Sequence, residues 1–273
     1  MNDASSADAI VNGAESIHVG GAAIELVRKG EGAPLLYLHG MDGVEAAAEM
    51  IEALAGSFAV YAPSHPGFGG SELPRGVTTA DDLGYFYLDL MEERGLRDVT
   101  VVGLSIGGWI AAEMLVKDDS RVARAVLGAP LGLSTGDGRK QRVPDIFMLP
   151  AAEIDARLQE TPAAPRPAPA DLTADTLERQ VRNADAVSLF GWSPYLHNPK
   201  LRQRLHRIKA PVLLLWGEKD ALVPRDYMED FAGALGDARL QVLPDCGHRI
   251  HVDSPAPAAE AITAFAAASA DKA

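Results

Sequence analysis

The chain has 273 residues, 47% hydrophobic and 23% charged. That is the balance of a soluble globular protein, long enough to bury a core without staples, and it excludes a disordered chain. Acidic residues outnumber basic ones 38 to 25, for a formal net charge of −13, so the surface repels phosphate backbones and anionic lipid, and neither nucleic acid nor a membrane is an expected partner. The single cysteine, Cys246, excludes an internal disulfide and any multi-cysteine zinc site.

No stretch approaches the run of about 18–20 apolar residues that a membrane span requires. The opening MNDASSADAIVNGAES is polar and acidic and lacks the basic start and apolar run of a signal peptide. The expectation is an intracellular, cytoplasmic protein. In chain order, residues 23–28 read as a strand, and 35–38 (LLYL) as a short apolar strand ending at His39-Gly40. Residues 44–55, rich in Ala and Glu, predict a helix. Residues 58–62 (FAVYA) predict a strand stopped by Pro63. A helix is expected over 79–94, with Thr78 or Thr79 as cap and Gly95 as stop. Then come a strand at 99–102, a helix at 109–116 and a strand at 122–127. Far downstream, 212–216 (VLLLW) and 240–243 predict two more strands, and 256–268 a terminal helix.

Apolar strands alternating with helices imply a parallel sheet covered on both faces. The alternation breaks over residues 131–207, which have no strand pattern, a Pro-rich run at 161–170 and a helical stretch at about 173–187. Such an insertion reads as a cap over the sheet edge, with 1–130 and 208–273 as the core. A linker between two domains is the alternative, but the two final strands could not make a sheet alone.

The strongest chemical signal is Gly103-Leu104-Ser105-Ile106-Gly107, with a strand leading in and a helix leading out. A turn that tight demands small residues beside the serine, and it lifts the hydroxyl to the carboxyl end of the strands, at a helix N-terminus. Backbone N–H groups there can stabilise an oxyanion. A serine nucleophile needs a base, and the base an acid to hold it in one tautomer. Both follow in the order serine, acid, histidine: Asp220 after the strand VLLLW, with Glu218 as the runner-up, and His248 after the last strand. His39-Gly40-Met41-Asp42-Gly43 follows the strand LLYL as an oxyanion-type loop, which makes the N–H groups of Met41 and Ile106 the candidate donors; a simple tight turn at His39-Gly40 is the alternative. His251 forms H-x-x-H with His248, but no third ligand accompanies the pair, so no metal is expected. His65 reads as structural, and His18, His197 and His206 as surface or cap residues.

These motifs resemble the α/β-hydrolase family in its capped, single-chain serine esterase and hydrolase branch. The matching residues are HGMDG (39–43), PSHPGFGGSE (63–72), GLSIGG (103–108), LLLWGEKDALVP (213–224) and PDCGHRIHVDSP (244–255). The resemblance implies eight mainly parallel strands with helices on both faces and a helical cap inserted after strand 6. It implies no cofactor, and a triad of Ser105 (nucleophile), Asp220 (acid) and His248 (base). Members with an aspartate nucleophile are disfavoured by serine at position 105.

Trp109 lies one turn beyond the nucleophile and either lines the pocket or packs the helix. In the insertion, Phe147, Met148, Leu149, Phe190, Trp192 and Tyr195 offer an aromatic lining if they face inward; Met148, Phe190 and Trp192, with Trp109, are the expected substrate contacts. Cys246 reads as a small buried filler. The expected reaction is hydrolysis of a carboxylic ester, lactone or thioester of a hydrophobic small molecule through an acyl-enzyme. One alternative is carbon–carbon hydrolysis of a vinylogous diketone from aromatic breakdown, although the Gly-Pro-Gly loop ending of that branch is missing. Another is a non-catalytic ligand-binding member of the fold.

Overall fold

Short runs of Val, Leu and Ala bounded by Gly and Pro cannot leave either face in water, so they assemble edge to edge under two layers of helix. The computed structural model describes residues 10–11, 13–134, 142–158, 170 and 172–270. Its strands are β1 (Glu15–Val19), β2 (Ala22–Lys29), β3 (Ala33–Leu38), β4 (Phe58–Pro63), β5 (Val99–Leu104), β6 (Val122–Gly128), β7 (Val212–Gly217) and β8 (Ala238–Leu243). They form one eight-stranded sheet in the order β1-β2-β4-β3-β5-β6-β7-β8. β2 runs antiparallel to β1 and β4, and every other pairing is parallel. β5 and β7 are buried along their whole length.

The helices are α1 (Ala48–Ala55), α2 (Ala80–Glu93), α3 (Ile106–Leu115), α4 (Ala151–Leu158), α5 (Ala174–Gly191), α6 (Arg225–Ala234), α7 (Ile250–Asp253) and α8 (Pro255–Ala270). Thr79 caps α2 by accepting from the Asp82 N–H, while Asp82 reaches back to the Thr79 N–H. Gly95, with φ 63°, takes the chain out of the helix. α3 is buried on every side, and α2 approaches it so closely that a Cβ on Gly84 would lie 3.0 Å from the Met114 nitrogen. Among the described residues, no helix is long and apolar enough to cross a membrane.

Several boundaries differ from the sequence reading. Residues 44–55 split into a 3-10 turn, Glu45–Ala47, and then α1. α3 starts at Ile106 rather than at 109, because the turn at Ser105 leads straight into it. β1 carries too few apolar residues to stand out, with only Ile17 and Val19 buried. α4 and α6 carry no clear sequence signal, because their polar faces dilute the apolar period. Between β6 and β7 lie α4 and α5, and Thr173 caps α5 by accepting from the Thr176 N–H at 3.1 Å. The Pro-rich run, except for Ala170, lies outside the described residues.

β3 lies between β4 and β5, so successive connections leave it in opposite directions. This reversal opens a crevice at the carboxyl ends of β3 and β5, the usual ligand position in open α/β sheets.

Candidate active site

Ser105 joins β5 to α3 with φ 54° and ψ −116°, a conformation that costs a non-glycine residue about 1–3 kcal/mol. The surroundings enforce it. A Cβ on Gly103 would lie 2.4 Å from the Gly107 carbonyl oxygen, and one on Gly107 would lie 2.1 Å from that of Leu38. The Ser105 N–H donates to the Gly128 carbonyl at 2.8 Å, which pins the turn to β6.

The loops after β7 and β8 are zipped together. The Glu218 N–H donates to the Leu243 carbonyl and the Lys219 N–H to that of Cys246, both at 2.9 Å. Gly217 permits the approach, since a Cβ there would lie 2.2 Å from the Gly247 carbonyl oxygen. Asp220 and His248 thereby meet, with His248 Nδ1 2.9 Å from Asp220 Oδ2 and His248 Nε2 2.8 Å from Ser105 Oγ. An ionised carboxylate only accepts, so Nδ1 carries the proton and Nε2 presents its lone pair to the serine hydroxyl. The other Asp220 oxygen accepts the N–H groups of Leu222 and Val223, each at 2.8 Å. Ser105, Asp220 and His248 are 6%, 8% and 5% exposed. Glu218 is exposed, and His248 Nδ1 is bonded to Asp220 instead. Cys246 is buried, which pushes its thiol up to about 11 and leaves it inert filler.

The β3 loop sits opposite, where a Cβ on Gly40 would lie 3.8 Å from the Ser105 Cβ. Two histidines in contact, His39 and His65, build its floor, with ring centroids 3.7 Å apart and ring planes tilted by 34°. The His65 N–H donates to His39 Nε2 at 2.9 Å, so His39 donates from Nδ1 to the Gly40 carbonyl at 2.7 Å. His65 Nε2 donates to the His39 carbonyl at 2.9 Å, and His65 Nδ1 accepts from the Tyr87 hydroxyl. Burial holds His39 down to about 4 and His65 well below its ordinary value, so both are neutral. Ile106 N–H is one of the first donors of α3, which have no partner within the helix. Among the described residues, no acceptor is recorded for the N–H of either Met41 or Ile106.

A cavity of about 900 Å³ opens beside Met41, walled chiefly by Phe147, Ile154, Leu158, Leu177 and Val187. Its charged members, Asp42 and Arg249, pair with each other at 2.8 and 2.6 Å. None of the four expected substrate contacts is in this wall. Trp109 is buried beneath Gly132 and donates its indole N–H to Glu113 at 3.1 Å, so its role is packing. Met148 is 75% exposed and Trp192 61% exposed, the latter edge-on to Phe147, while Phe190 is buried. Phe147, from the same aromatic set, does line the cavity. Only their burial and their place in the fold separate these residues; their sequence neighbourhood carries no such signal.

His251 is buried, and burial lowers it to about 4. Both nitrogens of His248 are committed to Asp220 and Ser105. Among the described residues, no group of three or more His, Cys, Asp or Glu side chains is arranged to hold a metal ion.

Several known proteins have chains similar to this one. An acetyltransferase component of an acetoin-cleaving system from Cupriavidus necator (dihydrolipoyllysine-residue acetyltransferase) is 29% identical over 241 residues, 84% of this chain; this chain spans 63% of that relative's length. The 2-hydroxy-6-oxo-6-phenylhexa-2,4-dienoate hydrolase of Burkholderia cepacia is 25% identical over 71% of this chain and 72% of its own. The pimeloyl-acyl-carrier-protein methyl ester esterase of Aromatoleum aromaticum is 27% identical over 81% of this chain and 93% of its own. Among solved structures, the carboxylesterase CesB of Bacillus subtilis superposes with a TM-score of 0.74 at 20% identity, covering 95% of each chain, a likeness of fold. The model of the alpha/beta hydrolase family matches residues 35–261, from β3 to the last helix and across every loop described above, and the chain belongs to that family.

Proposed function

We propose that the protein is a serine hydrolase of carboxylic esters of hydrophobic small molecules, acting through an acyl-enzyme on Ser105. The observation that carries this reading is the hydrogen-bond relay from Ser105 Oγ through His248 to Asp220. His248 Nε2 takes the hydroxyl proton as Oγ attacks the ester carbonyl. The resulting oxyanion accepts from the N–H groups of Met41 and Ile106. His248 then gives its proton to the leaving alkoxide. Water, deprotonated by the same nitrogen, releases the acid and restores the serine. Asp220 keeps Nδ1 protonated and stabilises the imidazolium, and its two backbone donors hold the carboxylate in place. The chemistry calls for no cofactor.

Residues 131–207 act as the cap, and residues 1–130 and 208–273 as the catalytic core. α5 is fastened to the core by Arg179, which is paired with Glu25 and Glu45, and by Asn183, which accepts the Gly69 N–H at 2.9 Å. The cavity beneath α4 and α5 suits an uncharged acyl or aryl group, because its one cation in the wall is matched by Asp42. The dienoate hydrolase relative keeps carbon–carbon cleavage as the second reading. Its substrate is anionic, and the neutralised Arg249–Asp42 pair argues for an ester instead. The acidic surface and the free Cys246 fit a cytoplasmic enzyme with a small-molecule partner.

The test is labelling with a fluorophosphonate, mapping of the modified residue, and turnover of p-nitrophenyl esters by wild type and Ser105→Ala. Label on Ser105 with turnover lost in the variant is expected. Turnover retained by Ser105→Ala refutes the nucleophile. Cleavage of a dienoate but of no ester refutes the substrate class.

A further inference from the structure

The oxyanion donors differ in how they are held. Ile106 is locked by a helix and by the strained turn at Ser105. Met41 lies in a loop, between Gly40 and Asp42, and its N–H must stay aimed at a point fixed by a different strand. The Asp42 carboxylate meets the guanidinium of Arg249, the residue next to the base, through two hydrogen bonds of 2.8 and 2.6 Å. A bidentate carboxylate–guanidinium pair fixes distance and plane together, which an ammonium cannot do. Burial pushes the Asp42 carboxyl up, but the charge of Arg249, the neighbouring His251 and the Arg249 hydrogen bonds together outweigh it and hold the group below its ordinary value.

The same pair receives both inserted helices. The Arg249 N–H donates to the Leu158 carbonyl at the end of α4 at 2.8 Å. Asn183 of α5 donates from Nδ2 to the Asp42 carbonyl at 3.3 Å. His251 Nε2 lies 3.9 Å from Asp42 Oδ2 and closes the other side. The two residues thus join the base loop to the oxyanion loop through their side chains and meet the inserted helices through their backbone groups, with Arg249 Nη2 also 4.0 Å from Asp155 Oδ1 of α4.

We propose that Asp42 and Arg249 are positioning residues: the pair sets the aim of the Met41 N–H, and seating of the inserted helices sets the pair. Neither side chain touches the reacting atoms. The inference rests on the serine hydrolase reading, and the experiment separates the two.

Arg249→Gln, Arg249→Lys, Asp42→Asn and the double variant Asp42→Asn/Arg249→Gln are compared with wild type on a p-nitrophenyl ester. The other readouts are thermal midpoints and inhibition by an aryl trifluoromethyl ketone, whose tetrahedral adduct needs the same oxyanion donors. Losing a donor outright costs about 100- to 1000-fold in turnover, so a misaimed one costs about 10- to 100-fold in kcat. That loss is expected in kcat for Arg249→Gln and Asp42→Asn whatever happens to KM, because an oxyanion exists only in the transition state, whereas the charge left unpaired in the cavity wall acts on substrate binding. The inhibition constant rises by the same factor as kcat/KM falls. The double variant loses no more than the worse single one, as members of one unit do. Arg249→Lys keeps the charge without the fork and falls between, and it carries the test should Arg249→Gln not fold.

Single variants with wild-type kcat overturn the inference while the hydrolase reading stands. So do losses confined to KM, or losses that multiply in the double variant. Wild-type protein that neither labels at Ser105 nor turns over any ester removes the hydrolase reading, and the inference goes with it.

Discussion

Gly107→Ala probes how tightly the sheet and α3 are joined beneath Ser105. The new methyl would lie 2.1 Å from the Leu38 carbonyl oxygen and 2.4 Å from that of His39. Both are backbone atoms at the carboxyl end of β3, so neither can swing aside. To reach ordinary contact, the helix start and the strand end must part by about 1.3 Å. Overpacking of this kind typically costs about 1–3 kcal/mol, and rigid backbone on both sides puts the site at the upper end. The helix preference for Ala over Gly returns up to about 1 kcal/mol. A net loss of about 2 kcal/mol lowers the thermal midpoint by about 4–8 °C for a domain of this size. The activity loss is larger. The same displacement moves Ser105 Oγ and the Ile106 N–H relative to Met41, and a misplacement of about 1 Å can cost about 100-fold in rate. The assay is calorimetry together with p-nitrophenyl ester turnover. Gly233→Ala in α6 is the control, because its added methyl meets nothing within 4 Å; there the midpoint rises by about 1–2 °C and kcat is unchanged. A Gly107→Ala enzyme with a midpoint within 2 °C of wild type and kcat within threefold, about the scatter of a neutral surface change, refutes the reasoning.

Asp220→Asn keeps the shape of the acid but not its charge, so the imidazole loses both its tautomer preference and its counter-ion. kcat is expected to fall about 10⁴-fold with little change in midpoint; a loss under tenfold, read with the same ester, contradicts Asp220 as the acid. Stability also has a pH signature. His39 and His251 are buried neutral, with burial holding each down to about 4 against an ordinary value of about 6.5. Between those limits the unfolded chain binds protons that the folded chain refuses, so stability is flat above about pH 6.5 and falls as pH drops toward 4. From pH 7 to pH 5 the two groups together cost about 3–4 kcal/mol. Urea unfolding at both pH values measures it, and an unchanged midpoint at pH 5 shows that the two rings are not held neutral.

The candidates Ser105, Asp220 and His248 were legible because each sits in a local pattern with a local cause. A strand, a glycine-flanked serine and a helix can only make a sharp turn, and residues 103–108 carry all three. Asp220 and His248 each follow an apolar strand, and in a parallel sheet strand ends gather along one rim. The structure brings these three side chains into one hydrogen-bonded chain. It also chooses between Asp220 and Glu218, two residues apart, because only one of them faces His248 in the zipped loops.

The cavity wall was not legible. Trp109, Met148, Phe190 and Trp192 are as apolar as Phe147, and composition says that such side chains seek burial without saying against what. Trp109 belongs to a helix buried on every side, so its indole found Glu113, while Met148 and Trp192 turned to solvent. The Asp42–Arg249 pair, 207 residues apart in sequence, leaves no local trace whatever. Periodicity and turn chemistry act over a few residues, and they determined most of the strands, the helices α2, α3, α5 and α8, and the order of Ser105, Asp220 and His248. Which faces meet across the chain depends on how the inserted helices dock, and only the folded chain decides that.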